Sequence, residues 1–172
     1  MSALRQTLDF LLYDWLHAEE LASRERFSDH SRETFGAVLD TCERIAREKF
    51  APFNRIVDTE EPRFDGEKVI LPRASYDAWN AYVGTGLMSA AQDYDIGGMQ
   101  LPYVIEAPAN AIFTIASASI AGGMLTSGNA NLLLAHGTGA QREVFARNEF
   151  SGRWSGTMAP TASSAASTPR RR

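Results

Sequence analysis

Asp14 and His17 stand three residues apart in a helical stretch, the spacing with which a carboxylate and an imidazole can share a metal ion inside a bundle. A di-iron centre of that kind takes two Glu-x-x-His pairs and two further glutamates. The chain contains no Glu-x-x-His, so the pair reads as ordinary surface charge. Asp93 and Asp95 imitate the opening of a calcium loop, but Gly97 and Gly98 stand where the next ligand and its spacer belong, and a polar turn is expected. Cys42 falls on the apolar stripe of a helix, where a thiol behaves as a small hydrophobe rather than a nucleophile. His30 lies in a loop and His136 precedes a helix-ending glycine, neither with a catalytic partner in view. No G-x-S-x-G, P-loop or G-x-G-x-x-G occurs, which removes the sequence support for nucleophile-elbow hydrolases, Walker nucleotide hydrolases and Rossmann dehydrogenases. Catalytic residues and metal ligands are therefore expected to be absent from this chain.

The elements that would position any site are helices almost throughout. Leu4, Leu8, Leu11, Leu12, Trp15 and Leu16 recur at steps of three and four, predicting one amphipathic helix over roughly 3–22 with Arg5, Asp9 and Asp14 turned away from its apolar face. A polar turn follows to Ser31. A second helix carries Phe35, Val38, Leu39, Cys42, Ile45, Ala46, Phe50 and Phe53, with a kink expected at Pro52. Residues 54–74 read as a loop with a strand fragment at Lys68–Leu71. A third helix begins near Ser75 and stops at Gly84–Gly86, and 92–102 is a further loop. Tyr103 to Gly123 is apolar all round, predicting a central helix kinked by Pro108 and broken at Gly122–Gly123. Short helices at 129–136 and 141–150 complete the bundle, and Arg153–Met158 reads as a beginning strand. The fold class is all-α, a helical bundle ending in an aborted first β-strand.

Composition agrees with a globular domain, at 44% apolar and 22% charged residues. The formal net charge is −4, and because the last fourteen residues contribute +3 the body carries −7, an acidity that argues against nucleic acid as a partner. A single cysteine permits no internal disulfide and suits a reducing cytoplasm, and the start shows no secretory signal. The most apolar run, Ala111–Leu125, is too short for the ~20 residues that span a bilayer.

Several motifs, taken in order, resemble the N-terminal α-helical domain of the acyl-CoA dehydrogenases. They are Ala51-Pro52-Phe53-Asn54 with Asp58, then Tyr94-Asp95-Ile96-Gly97-Gly98, then His136-Gly137-Thr138-Gly139-Ala140-Gln141-Arg142, then Ser151-Gly152-Arg153-Trp154-Ser155-Gly156-Thr157-Met158. The resemblance covers about residues 4–158. Asp9-Phe10-Leu11-Leu12 and the Leu132–Thr138 run are most similar to the large-subunit branch with its methylmercaptopropionyl-CoA dehydrogenase-like enzymes. Gln100 stands where the family usually has glycine, and Gly139 where it has an acidic residue.

The resemblance implies an FAD flavoprotein of fatty-acid metabolism that removes hydrogens from the α and β carbons of an acyl-CoA thioester and passes electrons to an electron-transfer flavoprotein. Intact members are homo-oligomers. It implies that residues 1–152 form the helical domain, that 153–158 begin the middle β-domain, and that flavin contacts and the catalytic carboxylate belong to domains this sequence lacks. FAD is thus expected in an intact member and not on this chain alone. It also implies that Gly97, Gly98 and Met99, together with Ser119, Gly122, Gly123 and Met124, form one wall of the acyl-chain pocket, with helix packing and helix termination as the competing explanation. Residues 159–172, built from five residue types, are expected to be either an out-of-frame or truncated end or a natural low-complexity tail. A non-catalytic module docking on a full-length relative is the alternative function.

Overall fold

The computed structural model describes residues 2–156, without the side chains at positions 123 and 124; the expectations for 157–158 and for the tail lie outside the described residues. Helix α1 (Ala3–Asp9) starts where the Ser2 hydroxyl accepts the Arg5 amide at 3.1 Å, a cap for one of the donors a helix start leaves unpaired. It widens into a π turn over Phe10–Trp15, and His17 then takes a left-handed conformation (φ 51°) that stops it. The single helix predicted over 3–22 is therefore two pieces, the second a 3-10 turn at Ala18–Ser23. The π turn has a physical consequence. Its extra residue shifts the phase of the helix, so Leu12 stays buried while Trp15 and Leu16 are exposed.

Arg5 also departs from expectation. It is buried, 6% exposed, with Nε 2.9 Å from Asp9 and Nη1 2.5 Å from Asp40, while Nη2 donates to the Gly36 carbonyl at 3.3 Å. Two carboxylates and the room left by a glycine make a charged residue tolerable at a helix interface.

Helix α2 (Arg32–Ile45) opens on a reciprocal capping box between Ser31 and Thr34. It continues through a π turn (Ala46–Phe50) and a 3-10 turn (Ala51–Phe53) into α3 (Asn54–Thr59), so the chain path changes around Pro52 as expected, but the first six residues of the predicted loop are helical. Two-residue strands β1 (Arg63–Phe64) and β2 (Val69–Ile70) pair antiparallel, Arg63 opposite Ile70. Helix α4 (Arg73–Val83) follows.

Helix α5 (Tyr103–Ala116) passes through Pro108 and lies at the centre on one face only: Ile105, Ala109 and Phe113 are fully buried, whereas Tyr103 and Ile115 are exposed. The helix ends six residues before the predicted glycine break, where Ser117 turns extended (φ −163°, ψ 104°). Phe113 packs on Phe50 (ring centroids 4.9 Å) and meets Tyr82 edge-on at 5.1 Å, joining α2, α4 and α5 in one core.

After the short α6 (Ala118–Ala121) and a 3-10 turn, α7 (Thr126–His136) pairs with the last helical stretch. That stretch runs from α8 (Gly139–Gln141) through a π turn into α9 (Arg147–Phe150). Ala130, Ala146 and Phe150 form a second, smaller core, with Ile96 packed against it. The strand predicted from Arg153 is not formed over 153–156. The amides of Arg153 and Trp154 instead turn back to the Asn148 carbonyl at 3.0 and 3.1 Å, closing the end of α9. Among the described residues the architecture is all-α apart from the small hairpin. No helix of the described residues is long and apolar enough to cross a membrane.

Candidate functional site

The residues expected to form one pocket wall occupy two places. Gly97, Gly98 and Met99 lie in a turn after the 3-10 segment Tyr94–Ile96. This turn is tied down almost atom by atom. The Gly97 carbonyl accepts from the Ser89 hydroxyl (2.9 Å), the Gly98 amide donates to Asp93 (3.0 Å), and the Met99 and Leu101 amides both donate to the Ala90 carbonyl (3.0 and 2.8 Å). Gly97 has φ +84°, which a side chain would strain. A Cβ at Gly98 would sit 2.0 Å from the Gln92 carbonyl oxygen, so only glycine lets the two backbones meet. Gln100, where the resemblance leads one to expect glycine, is left-handed at φ 49°.

The Met99 side chain lines a 230 Å³ apolar cleft together with Val38, Thr41, Cys42, Thr85 and Leu87. Sequence reasoning placed Cys42 in the core, where it is 1% exposed, but did not connect it with Met99. Burial pushes its thiol up to about 12, so it is protonated near neutrality and no nucleophile.

Ser119 and Gly122 stand elsewhere. They line a 510 Å³ cleft with Pro72, Tyr76, Trp79 and Ser155, between α4, α6 and the end of the described chain. The Trp79 indole N–H donates to the Gly152 carbonyl at 3.4 Å, which fixes the ring against this opening. The aromatic pair Tyr76 and Trp79, one turn apart on α4, forms the wall of this cleft on the α4 side. A Cβ at Gly122 would meet no atom within 4 Å, unlike one at Gly98. Nothing is described of the side chains at Gly123 and Met124.

The other expected groups are dispersed. Asp14 and His17 are exposed, and Asp93 pairs with Arg26 at 2.6 Å. His30 donates to the Met99 carbonyl at 2.8 Å, a structural contact that the sequence did not reveal. Among the described residues no three metal-binding side chains converge. Two buried carboxyls went unnoticed in the sequence. Glu106, in the first turn of α5, has its pKa raised by desolvation, and it in turn helps burial to raise that of Tyr82, whose hydroxyl donates to Asn110 at 2.9 Å. Glu149 accepts from the Asn129 amide at 2.6 Å, and its other oxygen has no partner among the described residues.

A flavin dinucleotide needs counter-charge or aligned N–H donors for its diphosphate. Neither cleft holding the expected residues is lined by a cation, so these residues do not fit FAD by themselves.

No protein-family profile matches the chain. The chain is 33% identical over 150 residues, 86% of its length, to the 3-methylmercaptopropionyl-CoA dehydrogenase of Ruegeria pomeroyi, of which those residues represent 25%. The chain thus spans about a quarter of the length of this curated relative, and the similarity supports an acyl-CoA dehydrogenase-like relationship.

Proposed function

We propose that the chain is the helical domain of an FAD-dependent acyl-CoA dehydrogenase-like enzyme, one that carries out α,β-dehydrogenation of an acyl-CoA thioester. The observation that carries this reading is the similarity to the Ruegeria pomeroyi enzyme over 86% of the chain, beside a core built from packed helices. A reaction of this class needs a flavin to accept hydride and a base to accept the α proton. The two clefts are lined by neither a cation nor a carboxylate, so the part proposed for these residues is shape: an apolar wall that aligns the acyl chain and excludes water. Flavin and base come from further domains, in the same or another polypeptide, and the chain alone is inactive. Acyl-CoA, an electron-transfer flavoprotein and a homo-oligomeric assembly are the partners of the complete enzyme.

A second reading, a non-catalytic module that docks on a full-length relative, draws on the exposed Phe10, Trp15 and Leu16 along one stretch, an apolar surface of the kind that marks association. Both readings are tested by replacing the aligned segment of the Ruegeria pomeroyi enzyme with residues 2–156 of this chain. Retention of bound flavin in the folded chimera is expected for the enzymatic domain. A folded chimera that has lost flavin, while the separate chain binds the intact relative, would favour docking instead.

A further inference from the structure

The segment between the first helical stretch and α2 reads in the sequence as a polar turn, yet its side chains converge on one target. Arg26 Nη1 lies 2.6 Å from Asp93, and Nη2 donates to the Ala91 carbonyl at 3.1 Å. The Tyr94 hydroxyl donates to Asp29 at 2.9 Å. His30 Nε2 donates to the Met99 carbonyl at 2.8 Å, with its ring 5.5 Å from that of Phe35, a fully buried anchor of α2. Three side chains within five consecutive residues, Arg26, Asp29 and His30, thus grip the 91–99 turn at its entry and at its exit. Each exposed contact alone is weak, but contacts within one network do not act independently.

Two further observations give this grip a consequence. The turn ends in a left-handed Gln100, a conformation that persists in a non-glycine residue only when the surroundings over-determine it. And the residue that His30 holds by its carbonyl, Met99, supplies a side chain to the apolar cleft beside Cys42.

We propose that residues 26–30 are a strap that fixes the 91–99 turn and, through Met99, keeps the cleft beside Cys42 closed down, with Arg26, Asp29 and His30 as positioning residues. Releasing the strap lets Met99 swing and opens the cleft to a slender apolar ligand. That this ligand is the acyl end of the substrate rests on the function proposed above; the strap does not.

Cys42 is the chain's single cysteine, so it reports on the cleft without further labelling sites. The experiment compares its modification by a small neutral maleimide in the full chain, in the Arg26→Ala/Tyr94→Phe double variant, and in His30→Phe, which keeps a ring against Phe35 and removes the donor. Modification about fivefold faster or more in both variants is expected, the factor that a free-energy change of about 1 kcal/mol produces. Faster hydrogen exchange at the Gly98 and Met99 amides should accompany it, with no change in the core amides of α2 and α5. Unchanged modification, or modification that rises in step with core exchange, would overturn the strap; if His30→Phe does not fold, the double variant decides. The flavin content of the chimera is a separate readout, so failure of the strap and failure of the proposed function are distinguishable.

Discussion

The Gly97–Met99 turn and the Ser117–Leu125 break look alike in the sequence, both glycine-bearing interruptions of helical pattern, and the fold uses them in opposite ways. The first is a closed knot. Its amides return to Tyr94, Asp93 and Ala90, its glycines are demanded by a positive φ and by backbone contact, and a strap crosses it. The second is open. Its actual break is Ser117, Gly122 faces empty space, and Leu125 is exposed. A glycine therefore marks a required conformation in one region and an unfilled surface in the other, and only the neighbours distinguish them.

Substitutions can break this comparison, beginning with the largest effect. Gly98→Ala drives a Cβ into the Gln92 carbonyl, and a destabilisation of about 3 kcal/mol or more is expected by urea denaturation, since neither backbone can yield cheaply. A loss below about 1 kcal/mol would mean that the knot is looser than described. Gly97→Ala meets no atom within 4 Å, so its cost is the left-handed backbone alone, about 1–2 kcal/mol. Gly122→Ala lies in helical backbone (φ −55°) with open space around it, and it should stabilise by about 0.4–1 kcal/mol through the unfolded chain. A clear destabilisation there would show the second region to be as closed as the first.

The smallest effect concerns Glu106, which begins the helix joining the two regions. Its pKa is raised in the folded state by burial, so the folded chain binds its proton more tightly than the unfolded chain does. The stability it contributes is fully present below the unfolded value and is lost as pH rises through the folded one. Glu106→Gln should therefore raise Tm slightly at neutral pH, with the advantage over the parent shrinking as the pH is lowered below the ordinary glutamate range. An advantage that is independent of pH would assign the effect to packing.

The helices were legible because apolar spacing reports burial directly, as for Phe35, Leu39 and Cys42 on α2. What the spacing could not report was a change of phase. The π turn at Phe10–Trp15 moves Trp15 and Leu16 off the buried face, and Arg5 enters the interface because Asp9, Asp40 and Gly36 receive it, the last two from another helix. The break at Ser117 was missed because serine is an ordinary residue in helices and glycine is the stronger signal, although here the glycines continue as a 3-10 turn. The residues expected at the site came from the resemblance alone, and their division between two clefts was not legible because it depends on contacts across more than sixty residues, such as His30 with Met99.

The central claim, that this chain is the helical domain of an acyl-CoA dehydrogenase-like enzyme, is tested most directly by steady-state turnover of the chimera with acyl-CoAs of increasing chain length, using an artificial electron acceptor. The account predicts measurable α,β-dehydrogenation, and a preference for shorter chains when Gly122→Leu fills the wall that it lines. A folded, flavin-containing chimera that turns over no acyl-CoA would contradict the claim.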